Sequence, residues 1–82
     1  MENLSPDELE ALKKHAATAL RERIWIDEQP VFGPDKKEHK DDISLVPGTV
    51  NLALNRKNDV YYRGGDSIFF EWIGNIDKFK KG

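Results

Sequence analysis

The residues of this chain that could do chemistry are few, and their spacing is what decides. His15 and His39 are the two histidines, and neither stands at the short ligand spacing at which paired donors converge on a metal ion. Ser5, Ser44 and Ser67 are the serines, none inside the Gly-x-Ser-x-Gly turn that presents a nucleophile. The absence of cysteine removes thiolate nucleophiles, thiolate metal ligands and disulfides together. Glu71 stands beside Trp72, and desolvation by an indole would raise a carboxyl pKa. A general acid also needs a second group and a pocket, which the surrounding residues do not supply. Arg63-Gly64-Gly65-Asp66 could aim backbone N–H groups at an anion. It lacks the lysine and the further glycines of a phosphate loop, and paired glycines suit a hairpin turn. The expectation is a protein that is not an enzyme, with no catalytic residues, no metal and no cofactor.

What the chain does concentrate is aromatic surface. VYYRGGDSIFFEWIGN, 60–75, holds five of the eight aromatic residues. Upstream, TVNLALN, 49–55, alternates as a strand does, and the polar RKND that follows is a turn. Pairing Leu54 with Val60 sets Leu52 opposite Tyr62. Continuing across RGGDS sets Tyr62 opposite Ile68 and Val60 opposite Phe70. One sheet face then collects Val50, Leu52, Leu54, Val60, Tyr62, Ile68, Phe70 and Trp72 as core. The other presents Asn51, Ala53, Asn55, Tyr61, Phe69, Glu71 and Ile73. The competing reading of 67–76 is a helix capped by Asp66 or Ser67, with Ile68, Phe69, Trp72, Ile73 and Ile76 as its stripe. Aromatic and β-branched enrichment favours the strand.

The elements that must position these residues begin with a helix. Ser5, Pro6 and Glu8 form a capping box with proline at the first helical position, and Leu4 and Leu9 can staple it. Leu9, Leu12, Ala16, Ala19 and Leu20 make a narrow apolar stripe, ending near 21–23. RIWIDEQPVF, 23–32, reads as a short or edge strand because Pro30 cannot donate to a ladder. Gly33-Pro34-Asp35 turns the chain, and 33–42 reads as a solvated charged loop. A short strand at 43–46 precedes a type II turn at Pro47-Gly48. The tail, 77–82, is expected to fray.

At 82 residues and 38% hydrophobic, the whole chain, 1–82, reads as one small domain with little apolar surface to spare for an enclosed cavity. The expected fold class is α+β: one N-terminal helix packed on an antiparallel meander sheet of four to five short strands. Thirteen basic and fifteen acidic residues are interspersed, leaving a net charge of -2 and no basic footprint for nucleic acid. No cationic segment leads into an apolar run, and no apolar run reaches membrane-spanning length. A soluble cytoplasmic protein without membrane contact is expected.

VNLALN followed by VYYRGGDSIFF resembles the latter half of Sm-like RNA-binding domains, with Asn51, Arg63 and Gly64 at the matching positions. That resemblance implies a helix followed by five short strands, a ring-forming domain and single-stranded RNA as ligand, with Tyr61 or Phe69 stacking a base and Arg63 or Lys57 holding phosphate. The leading expectation is a non-enzymatic protein-binding or regulatory module. Its anchors would be Tyr61, Phe69, Ile73 and Trp25, with Arg63 and Glu71 as the polar rim. Its partner would be another protein or a second copy; the alternatives are RNA binding and a homo-oligomeric structural domain of no separate activity.

Overall fold

The computed structural model describes residues 4–17 and 23–80. Helix α1 (Pro6–Ala17) begins as its capping box requires. Glu8 N donates to Ser5 Oγ at 3.1 Å, and Ser5 N donates to Glu8 Oε1 at 2.9 Å. Asn51 Nδ2 donates to the second Glu8 oxygen at 3.1 Å, which ties the start of the helix to the start of a strand. With the Ser5 amide as its chief partner, the Glu8 carboxyl is held below its ordinary range. Ala19, Leu20 and positions 21–22 of the expected helix end lie outside the described residues, and Arg23 is not helical.

Five strands follow: β1 (Trp25–Phe32), β2 (Glu38–Leu45), β3 (Leu52–Asn55), β4 (Asp59–Tyr62) and β5 (Phe70–Asn75). A short helix, α2 (Asp77–Lys80), closes the description. The α+β class therefore holds, and each strand is antiparallel to the next. The sheet also closes on itself as a barrel, through a parallel contact of β1 with β5 at Val31↔Phe70 and Phe32↔Glu71. No helix among the described residues is long and apolar enough to cross a membrane.

Several boundaries differ from expectation. The charged run becomes strand from Glu38 onward, because Lys40 and Asp41 pair with Pro30 and Gln29 of β1. Pro30 lies within β1, at a point where β5 has not yet joined the other side, so the strand still has an open side for a residue without an N–H. A bulge after Ile26 places Glu28 at φ 45° and lets β1 bend toward closure. Residues 77–80 are helical rather than frayed, with Asp77 N donating to Asn75 Oδ1 at 3.1 Å. The Pro47-Gly48 turn forms as expected, with Gly48 at φ 86° and Thr49 N donating to Val46 O at 3.1 Å.

Register decides which side chains are inside. Leu54↔Val60 and Leu52↔Tyr62 pair as the alternation demands. Across the next connection the expected pairing fails: Tyr62 pairs with Glu71 and Val60 with Gly74. Residue 67 starts the difference. Ser67 N closes a turn onto Gly64 O at 3.0 Å, and Ser67 Oγ accepts from Phe69 N at 3.1 Å and donates to Phe69 O at 2.9 Å. These bonds keep 67–69 out of the ladder, so β5 starts at Phe70 and Ile68 is 76% exposed. Strand, not helix, is the state of 70–75.

Two cores result, one on each side of the barrel wall. Leu12, Val46, Leu52, Leu54, Val60 and Ile76 form the outer core beneath α1, with Tyr62, Ile73 and Phe79 packed against it. Val31, Ile43, Ala53, Tyr61 and Phe70 form the inner one. All four residues of β3 are consequently buried. Of the eight residues expected on the core face, Leu52, Leu54, Val60 and Tyr62 do lie toward α1. Phe70 belongs to the inner core, and Val50, Ile68 and Trp72 are exposed.

Two outcomes follow. Leu54→Ala is expected to destabilise by about 2–5 kcal/mol and Val50→Ala by less than about 0.5 kcal/mol, measured by urea unfolding. His15, buried on α1, is held below its ordinary pKa first by desolvation and then by the charge of Arg23. A depressed folded-state pKa means the unfolded chain takes up the proton first as pH falls. Stability is expected to decline on acidification from the ordinary value of 6.5 down to the lowered one, and His15→Gln should flatten that slope.

Candidate binding groove

β1 ends where Gly33 and Pro34 turn it away. Lys36 N donates to Gly33 O at 2.8 Å with Lys36 in the left-handed region at φ 63°, and Gly33 N donates to Lys37 O at 3.1 Å. Asp35 accepts from Lys37 N at 3.0 Å and grips His39 Nε2 at 2.9 Å, and these partners hold its carboxyl below the ordinary range. A Cβ on Gly33 would meet His39 Cδ2 at 2.9 Å, so a larger residue there would push the exposed His39 ring aside. Because β1 departs here, β5 runs on past Glu71 with β4 on one side and, among the described residues, no strand on the other.

A groove occupies that side. One concavity of about 400 Å³ is lined by Phe32, Gly33, Pro34, Lys36, Glu71 and Trp72. A second, of about 360 Å³, shares Lys36, Glu71 and Trp72 with the first and extends to Leu4, Ile73, Lys78 and Phe79. Trp72 is common to both and is 36% exposed. On the edge itself Lys78 Nζ donates to Ile73 O at 3.2 Å, and Gly74, at φ 144°, leaves the room that the Lys78 stem fills.

The residues expected to form a wet aromatic face are separated by this fold. Tyr61 is only 3% exposed and points into the barrel, because closure gives the sheet an inside; it is removed from the surface set. Phe69 is half-buried in edge-to-face contact with Phe32, ring centroids 5.1 Å apart. Arg63 lies over the Phe70 ring at 5.4 Å and donates to Val50 O at 3.2 Å. Trp25 has the guanidinium groups of Arg56 and Arg23 over its ring, at 4.3 and 5.3 Å. Arg23 in turn donates to Asn55 O at 3.2 Å and to Asn58 Oδ1, pinning the start of β1 to the β3–β4 hairpin. Only Glu71 and Ile73 of the expected six reach the groove. Trp72, Phe32, Lys36 and Lys78 join them there. Gly74, a glycine inside a strand pattern, was the available signal for the bulge that puts Trp72 outside.

The opposite end of the barrel is polar. Asn55, 5% exposed, accepts at Oδ1 from Lys57 N and Asp59 N, both at 2.9 Å, which closes the β3–β4 turn. Its amide nitrogen faces Asp41 Oδ2 at 3.1 Å, Tyr61 Oη at 3.3 Å and Asp59 Oδ2 at 3.4 Å. Burial first, and then the charges of Asp41 and Asp59, push the Tyr61 phenol up to about 12. It is protonated throughout the physiological range. Asn55, itself buried, thus satisfies the amides of an exposed turn and gathers two strands and a phenol, as a structural hub.

Among the described residues no three His, Asp or Glu side chains converge as metal ligands. Comparison with protein-family models, with curated proteins and with solved structures finds no match. The functional reading therefore rests on the geometry. A raised phenol pKa favours the neutral form in the fold, so its stabilisation is lost as pH rises from 10.0 toward 12. Ultraviolet titration is expected to show one phenolate forming only near that upper value, and Asp41→Asn should bring it down. Tyr61→Phe should remove the alkaline slope it adds to the stability curve.

Proposed function

We propose that this chain is a non-enzymatic protein-binding module, of the regulatory or adaptor kind, that engages its partner in the groove beside β5. The observation that carries the reading is Trp72, a half-exposed indole shared by two contiguous concavities and flanked by Phe32, Ile73 and Phe79. An indole seated in a concave site, ringed by charge, is the composition of an interface centre. The RNA alternative has less to support it. Arg63 and Asn51, which carry the resemblance to Sm-like domains, are each hydrogen-bonded within the chain, to Val50 O and Glu8, and Tyr61 is buried. Closure of the barrel also pairs β4 on both sides, with β3 and β5.

Tagged wild type and Trp72→Ala are compared in pull-downs from cell extract, with and without nuclease, after melting curves establish that both are folded. The expected result is a discrete protein recovered by wild type, insensitive to nuclease and reduced at least about tenfold by Trp72→Ala. Capture that nuclease abolishes would transfer the reading to RNA, and equal recovery by both proteins would reject the groove.

A further inference from the structure

We infer that the groove takes an extended peptide segment carrying an acidic residue, added as a strand along the open edge of β5. This rests on the groove being the contact surface and goes further, by naming the shape and charge of what enters it. The pairing of β5 with β1 ends at Glu71, while β5 itself continues to Asn75. Along that stretch the edge carbonyl of Ile73 has a side-chain ammonium for a partner, Lys78 Nζ, and among the described residues no strand. An exposed edge of this kind pairs with extended backbone, at a spacing of about 4.8 Å. The flanks decide between a segment and a folded surface. The turn bearing Pro34 and Lys36 and the helix α2, bearing Lys78 and Phe79, both line the concavity beside the edge, a concave approach that suits a segment better than a flat folded surface.

Charge sets the chemistry of the occupant. The ion pairs among the described residues are His39 with Asp35 and Arg56 with Asp42, so neither Lys36 nor Lys78 has a carboxylate partner. Among the described residues Glu71 is the one carboxylate lining the groove. Two ammonium groups against one carboxylate favour a segment with an acidic side chain set away from Glu71. Lys78 has the part of a lid. Its ammonium lies near the Phe79 ring, at 5.6 Å, and holds Ile73 O until an incoming backbone N–H replaces it. It is then free to meet the acidic residue. A side chain beside the acid, pointing to the protein, lands on Trp72 and Phe32.

The test is selection from a phage-displayed random heptapeptide library on immobilised wild-type protein, followed by fluorescence anisotropy with the enriched peptides made synthetically. Expected is enrichment of β-branched heptapeptides with one acidic residue. Affinity should fall at least about thirtyfold with Trp72→Ala and about threefold with Lys36→Gln or Lys78→Gln, and should rise with Glu71→Gln. Methylating alternate backbone nitrogens of the peptide should abolish binding, since strand addition depends on them. Trp72-dependent peptides that tolerate N-methylation, or that are basic, would overturn strand addition and leave the groove standing. Enrichment independent of Trp72, or none, would overturn both. A light-scattering mass of two chains that returns to one in Trp72→Ala would assign the edge to a second copy and overturn the peptide.

Discussion

The barrel closes on two residue pairs, Val31 with Phe70 and Phe32 with Glu71, and the rest of the molecule is arranged around that short contact. A five-stranded meander brings its first and last strands into the same direction, so the seam has to be parallel. Here the seam is also brief, because the bulge after Ile26 bends β1 in and the Gly33-Pro34 turn carries it off again. Closure turns one side of the sheet into an interior, where Ala53, Tyr61 and Phe70 meet, while the other side remains available to α1. One small chain thus buries both faces of a sheet with a single long helix. The short seam leaves the far half of β5 paired with β4 alone among the described strands.

An interior imposes polar obligations at its ends. At the β3–β4 turn Asn55, itself buried, turns its carbonyl oxygen to Lys57 N and Asp59 N. Its remaining nitrogen then faces the carboxylates of Asp41 and Asp59, and the same nitrogen orients the Tyr61 hydroxyl. An aspartate here would set a third carboxylate against two; an alanine would leave the turn amides with no acceptor. Asn55 therefore looks like a binding-face amide in the sequence and acts as a brace in the structure.

Local signals were legible wherever short-range chemistry decides the outcome. The Ser5–Glu8 box, the Pro47-Gly48 turn and the Leu54↔Val60 register each depend on a handful of neighbouring residues, and each forms as read. What failed was parity carried across the seven residues from 63 to 69. A hairpin connection of that length leaves register to tertiary packing, and the Ser67 turn and the Gly74 bulge together shift Trp72 from the expected core to the surface. The charged run misled for a related reason. His39 and Asp41 have polar partners, in Asp35 and Asn55, that sequence alone does not reveal, so a strand can run through what reads as a solvated loop. Of the groove, Glu71 and Ile73 were visible; Trp72 was visible only as core.

An open strand edge is a hazard for a small protein, since any extended chain is a partner for it. The far half of β5 carries the usual protections in compact form. A lysine ammonium occupies the Ile73 carbonyl, a bulge breaks the ladder between Tyr61 and Val60, and Gly74 holds a φ of 144° that a flat continuing strand would not keep. Glu71 and Lys36 add charge of both signs at the approach. These devices act against indiscriminate pairing without sealing the edge, because a lysine can swing aside where an apolar plug would not. Had the edge been only a defect of closure, an exposed indole at its centre would add to the hazard. Trp72 at that point makes sense if the edge is meant to be entered by one kind of chain and kept from the others.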